Sequence, residues 1–282
     1  MLLVVSVSGA ASVALEPKGE AMTSIRQTAA RQDQAVRQDP AVRNDRAVRN
    51  DRTVRKDQAA GPERAGCTPE SRITKTLLGY GVLAGPLYVV VALSQALTRD
   101  GFDLSRHAWS LLALGGPGWI QIANLILTGL MTIAFAVGLR RVLGSGTGSR
   151  WAPRLVATYG VSLVVAGIFR ADPTLGFPVG TPAGQGAVSW HGMVHLAAGA
   201  IGFTALTIGC FVLARRYTAE ARRGWAVICR ITGVAFLAGF VAVASGGGSA
   251  SSTLAFTAAV VLVCGWSSAV AVDRYAAVDA AR

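Results

Sequence analysis

Six apolar segments, at residues 76–97, 119–141, 153–169, 190–214, 224–244 and 253–272, occupy most of the chain after residue 75. Each comes close to the ~20 residues that a helix needs to cross a ~30 Å hydrocarbon core, where backbone polar groups must be satisfied within the segment itself. The expected fold class is therefore all-α, a six-helix transmembrane bundle spanning residues 71–282. Composition agrees, with 52% hydrophobic residues and a mean hydropathy of +0.45 where soluble domains are nearer to balance.

The net charge of +12 raises the question of nucleic acid, because basic surfaces neutralise phosphate. The placement of the charges argues against it. Residues 1–75 hold 13 of the 27 Lys+Arg and 9 of the 15 Asp+Glu, and the rest fall mostly in gaps between the apolar segments. Arg140, Arg141, Arg150 and Arg154 follow the second segment, and Arg215, Arg216, Arg222 and Arg223 follow the fourth. The first, third and fifth gaps hold only Arg99, Arg106 and Arg170. Positive charge favours the inner face, so the pattern predicts a cell-membrane protein with both termini cytoplasmic. It also puts Trp109, Trp119 and Trp190 at the outer interface, while Arg230 reaches from the fifth segment to the inner headgroups. Expected partners are membrane lipids, not nucleic acid.

The amino-terminal region reads differently. "MLLVVSVSGAASVAL" is too short to span a bilayer comfortably and lacks a basic leader; it reads as a degenerate signal, or as an extension upstream of a true start at Met22. Residues 29–58 then repeat every six positions, as in "AVRNDR" twice over. A period of six matches neither helix nor strand, and the interspersed charges cannot bury enough surface to offset chain entropy, so residues 1–70 are expected to be disordered. The four cysteines include no CxxC pair, which predicts neither a disulfide framework nor a zinc knuckle.

The orientation collects the unusual polar residues on one side. His107, His191 and His195 all fall there, with Arg106, Asp103, Arg170 and Asp172. His191 and His195 are four apart on one helix, with Gly199 and Gly202 continuing the same face; the spacing predicts two stacked, inward-facing imidazoles. Gln121, Asn124, Thr128 and Thr132 form a polar stripe on the second helix, read either as helix-to-helix glue or as the wall of a hydrated pocket. In "RADPTLGFPVGTP" the prolines force sharp turns and let Phe177 dip toward the interface, with Arg170, Asp172, Arg106 and Asp103 free to pair.

"GYGVLAGPLY", "HAWSLLALGGPGWIQIANLILTGL", "ADPTLGFPVGTP" and "SWHGMVH", in that order over about residues 75–273, resemble the bacterial multi-pass membrane protein family catalogued as domain of unknown function 998. The resemblance implies a helical membrane protein without an assigned reaction. It implies that the family's recurrent polar positions correspond to Ser110, Gly118, Trp119, Gln121, Asn124, Asp172, Pro173, Gly176, Phe177, Pro178, His191, Gly192 and His195.

Three functions compete on these residues. The first is a non-enzymatic module that binds a lipid headgroup or small polar ligand in an outer pocket. Helices two and four would wall that pocket and the "RADPTLGFP" and "FDLSRHAWS" loops would cover it. Its candidate ligand residues are Arg106, His107, Ser110, Gln121, Asn124, Arg170, Asp172, His191 and His195, with the arginines offering forked donors to phosphate or carboxylate. The second is a metal-assisted intramembrane hydrolase, zinc or iron on His191, His195 and Asp172 with Ser110 orienting substrate; the first reading needs no cofactor. The third is a transporter subunit, which would be expected to carry an acidic residue near the midplane. The Gly79, Gly81 and Gly85 face is the expected route to a homo-oligomer.

Overall fold

A computed structural model describes Arg31, residues 68–245 and residues 248–280. The expected leader, the six-residue repeats and Cys67 lie outside the described residues. Six helices make up the bundle: α1 Pro69–Thr98, α2 Gly118–Leu143, α3 Trp151–Ile168, α4 Trp190–Ala219, α5 Arg223–Ser245 and α6 Ala250–Ala280. All six are long and apolar enough to cross a membrane. Their outward faces carry large apolar side chains such as Leu83, Val90, Leu130, Val161, Ile201 and Val234, the surface expected to meet acyl chains rather than water.

The helix starts have local causes. Thr68 caps α1 by accepting from the Ser71 amide, and Pro69 at the first position needs no amide partner. Ser189 caps α4 by accepting from the Gly192 amide at 3.1 Å. Expected boundaries move outward most at the start of α1 and the end of α6, and α4 also runs five residues past Ala214. α1 begins seven residues before Thr76 because the Thr68 cap and Pro69 start it in the polar stretch, and α6 runs eight residues past Val272.

The extension of α6 is held by charge. The Tyr217 hydroxyl donates to Asp273 at 2.8 Å, and Arg222 forks onto the same carboxylate. Arg274 donates twice to Glu220, at 2.9 and 2.8 Å, and Arg216 reaches Glu220 as well. The Arg274 guanidinium lies over the Tyr217 ring, which stacks on Trp225. These bonds tie the end of α6 to the α4–α5 turn at the arginine-rich end of the bundle. Arg230 stays exposed there and donates to Thr218. Cys210, Cys229 and Cys264 are free and buried.

The helices pack in chain order, each on the next, and α6 packs back on α1. Glycine sits at every seam of this ring. A Cβ at Gly138 would press on Leu77 and Leu78 of α1, at Gly129 on the Gly160 carbonyl of α3 (2.6 Å), and at Gly202 on Ser162 of α3. Likewise Gly233 meets Cys210 of α4, Gly239 meets Ala259 of α6, and Gly85 comes within 2.6 Å of the Cys264 carbonyl of α6. The face expected to mediate oligomers is thus divided. Gly81 and Gly85 seat Phe135 and α6 inside the chain, and only Gly79 meets nothing within 4 Å.

That division yields a paired test on one helix. Gly85→Ala must push α6 away and is expected to cost about 1–3 kcal/mol, whereas Gly79→Ala is expected to be neutral or to gain up to about 1 kcal/mol from helix propensity. Thermal unfolding of both variants in detergent checks the contrast.

Candidate functional site

At the end of the bundle opposite the arginine-rich turns, the 99–117 and 169–189 loops are pinned to one another. Arg99, just past the end of α1, donates to the Leu112 and Leu114 carbonyls and sits 5.1 Å from the Phe177 ring centre. His107 accepts the Asp103 amide at Nδ1 (2.9 Å), so in the neutral ring Nε2 carries the proton and donates to the Leu175 carbonyl at 3.1 Å. Phe102 and Phe177 pack on the same imidazole. His107 is therefore a buried staple between loops, and Phe177 is sealed against Leu111 and Leu114 rather than lying at an interface.

Asp172 takes up the start of α4. Its carboxylate accepts the Ser189 hydroxyl at 2.6 Å and the Ser189 amide at 2.7 Å, and Gly192 leaves the room it needs, since a Cβ there would collide with it. The hydrogen bonds from Ser189 hold its pKa below the usual carboxylate value, with smaller contributions from His191 and His195. No ion pair joins Asp172, Arg170, Arg106 or Asp103 among the described residues. The expected pairing gives way to local capping, in which Ser105 serves Asp103 as Ser189 serves Asp172.

The two α4 histidines part company. His195 is buried, and its Nδ1 lies 3.1 Å from the Ala166 carbonyl and 2.9 Å from the Phe169 carbonyl at the end of α3. Carbonyls only accept, so Nδ1 carries the proton and Nε2 is left as an acceptor in the neutral ring. His191, in the first turn of α4, stacks on Trp190 at 3.6 Å and is exposed. The expected inward pair is corrected to a single inward histidine. Among the described residues no three His, Cys, Asp or Glu side chains come together to hold a metal. With Asp172 engaged by Ser189 and His191 turned outward, the proposed zinc or iron set does not fit.

Below these loops lies a cavity of 420 Å³, within the ~300–1,000 Å³ usual for small-molecule sites. All six helices contribute to its wall, not only α2 and α4 as expected. Its rim carries Arg106, Ser110, Asp172, Thr174 and Gln185, and its depth carries Leu125, Leu163, Phe203, Phe240, Phe256 and Val260. Of the nine candidate ligand residues, Arg106, Ser110, Asp172 and His195 line it. Arg170, His107, His191, Gln121 and Asn124 do not. Gln121 and Asn124 are buried in the α1–α2 seam, where Gln121 Oε1 accepts from Gln95 at 3.0 Å and from Asn124 at 3.2 Å. Gln121 and Asn124 thus act as helix-to-helix glue toward α1, while Gln121 Nε2, Asn124 Oδ1 and Thr128 Oγ1 are buried without a partner among the described residues and Thr132 bonds within α2.

A family model described as "Protein of unknown function (DUF998)" matches residues 82–273. The chain belongs to this family. No curated protein and no solved structure matches it. The match takes in every wall residue of the cavity, so the site belongs to the DUF998 region itself.

Most of the wall was not among the candidate residues, Trp109 and Gly199 included. Trp109 was expected at an interface but is only 5% exposed, packed on Tyr88. Gly199 borders the cavity with nothing but Phe203 near a Cβ position, at 3.8 Å. Neighbouring Leu196 also lines the cavity while being 62% exposed. On α5, Phe240, Val243 and Ala244 face the same space.

Asp172→Ala removes two acceptors from the start of α4 and is expected to cost about 1–2 kcal/mol, read as a lower unfolding temperature. Because the folded pKa is depressed, this contribution is present above about pH 4 and is lost as pH falls below it. An acid titration of the unfolding temperature should therefore flatten in the variant.

Proposed function

We propose that this DUF998 protein binds an amphiphile taken from the surrounding lipid, with the polar head at the loop-covered mouth and the apolar part in the cavity. The observation that carries this reading is the distribution of the wall. Charged side chains stand among the loop residues of the wall, aromatic and aliphatic ones predominate among its helix residues beside Ser162, His195, Thr253 and Thr257, and Leu196, 62% exposed on α4, belongs both to the cavity wall and to the bundle surface. A small polar solute would gain little from that apolar depth, whereas each buried CH₂ of a chain is worth about 0.8 kcal/mol. Arg106 is exposed at the rim, with no ion-pair partner among the described residues. Its guanidinium fork suits the phosphate or carboxylate of a headgroup.

The same reading places the mouth toward the outer leaflet of the cell membrane and both termini in the cytoplasm. Support comes from the eight arginines in and around the α2–α3 and α4–α5 turns, on the adjoining helix ends as well as between them, which lie at the opposite end from the mouth. A cysteine replacing Thr174 at the rim is expected to react with an impermeant thiol reagent in intact cells; protection there would reverse the orientation.

Binding is tested by native mass spectrometry of the protein extracted in mild detergent. The wild type is expected to carry lipid adducts of defined mass, and Gly199→Leu, whose Cβ would meet only Phe203 at 3.8 Å, to lose most of them at unchanged fold. Adducts that persist at equal intensity in the variant would overturn the lateral route. Their absence from both proteins would overturn the binding reading.

A further inference from the structure

The end of the bundle opposite the cavity carries positive charge that the protein itself does not balance. Asp172 is the only carboxylate between Asp103 and Glu220, so α2, α3 and α4 hold no acidic side chain within their lengths. Glu220 is taken by Arg274 and Arg216, and Asp273 by Arg222. Arg140 and Arg216 also hold the α2–α3 turn from either side, donating to the Ser149 and Ser145 carbonyls at 3.1 and 2.8 Å. Arg141, Arg150, Arg154 and Arg215 stand around that same turn. All four are exposed, and none has an ion-pair partner among the described residues.

The surface beneath these arginines decides what can balance them. Helical positions four and seven apart share a face. Val137, four before Arg141, is exposed, as are Phe211 and Ile208, four and seven before Arg215, and Val161, seven after Arg154. Since α3 packs on both α2 and α4, a guanidinium ends an outward apolar stripe on each of three neighbouring helices. Trp151 is 62% exposed and lies 5.7 Å from the Arg154 guanidinium, and tryptophan at the end of a membrane helix sits at headgroup level. Cations at headgroup depth above an apolar face are complementary to a phosphate above acyl chains. A nucleic acid or an acidic protein would use the arginines and leave the stripes bare. A zwitterionic headgroup brings its own cation beside the phosphate, whereas unpaired arginines favour one with net negative charge.

We propose that this face binds an anionic phospholipid from the leaflet at that end of the bundle, its headgroup among Arg141, Arg150, Arg154 and Arg215 and its chains along the outside of α2, α3 and α4. The site lies apart from the cavity and does not depend on the amphiphile reading.

The test titrates the full chain in detergent with an equimolar mixture of dioleoylphosphatidylglycerol and dioleoylphosphatidylcholine and counts adducts by native mass spectrometry. The chains are identical, so any preference reports the headgroup. Phosphatidylglycerol is expected to be preferred about tenfold, somewhat more than the roughly fivefold that one arginine contributes at an anionic surface. Changing all four arginines to glutamine is expected to lower the preference to less than about threefold at an unchanged unfolding temperature. The pairs Arg141→Gln with Arg215→Gln, and Arg150→Gln with Arg154→Gln, are each expected to give intermediate values. Equal binding of the two lipids by the wild type, or a preference unchanged in all three variants, would overturn the site. Arg106→Gln, at the cavity mouth, is expected to keep the preference; its loss there, with the fourfold variant unchanged, would move the anionic lipid to the cavity and leave the amphiphile reading standing. Excess glycerol 1-phosphate, which lacks the chains, is expected not to displace the lipid. Displacement would reduce the face to a site for free anions and overturn the lipid assignment.

Discussion

Lipid tails are as apolar as leucine, so the hydrophobic effect does not draw one membrane helix onto another; close approach and dispersion must do it. In this chain that approach depends on glycine, and every seam of the ring has one facing a neighbour's backbone or Cβ. The consequence reaches the site. Because α1 through α6 pack in order and the ring closes through Gly85 against Cys264, interior side chains converge from six directions rather than from two facing helices. A space remains where the ring is capped by loops instead of by another helix.

The two ends of the bundle are finished by different physics. At one end, paired charges on Asp273, Arg274, Glu220 and Arg222 lock α6 to the α4–α5 turn; ion pairs tolerate burial there because each carboxylate oxygen accepts from a guanidinium or a hydroxyl. At the other end the loops are joined by neutral or half-neutral contacts, Arg99 on carbonyls and His107 between two backbone groups. Paired charge is thus concentrated at the end away from the cavity, whose rim keeps Arg106 and the serine-held Asp172. Its depth stays apolar, and the few polar atoms inside it act in low dielectric, where each hydrogen bond made or missed counts for more.

Much of the fold was legible in the sequence because membrane spanning imposes length and hydropathy, and all six apolar segments became helices. The ends of α1 and α6 were not legible. Pro69 to Lys75 and Asp273 to Ala280 are too polar for a hydropathy reading, and they are helical because of a cap and an ion-pair network that only tertiary structure supplies. Periodicity put Gln121 and Asn124 on one face, but it could not say whether that face met α1 or open space; Gln95 decides it, from a helix the stripe itself does not reveal. Helical spacing likewise aligned His191 with His195, yet the first turn of α4 carries His191 beyond the packed wall. Trp109 stood in plain sight as an aromatic, and no sequence signal marks an indole N–H as unpartnered.

This contrast bears on how a site is recognised in a chain of this kind. The residues that stand out by type, His107, Asp172, Gln121 and Asn124, all turn out to have partners close by in the structure: a loop carbonyl, a serine, a glutamine on the next helix. In a membrane that is the expected fate of polarity, since an unsatisfied group is costly and a capped or paired one is cheap. A ligand can be held only by what folding leaves over. On the wall that leaves Arg106, exposed and without an ion-pair partner among the described residues, and the Nε2 of His195, whose proton the Ala166 and Phe169 carbonyls hold on Nδ1. Candidate chemistry in such a bundle is therefore better sought among unspent hydrogen-bonding atoms on a cavity wall than among conspicuous residue types, because the conspicuous ones are the first that packing has to satisfy.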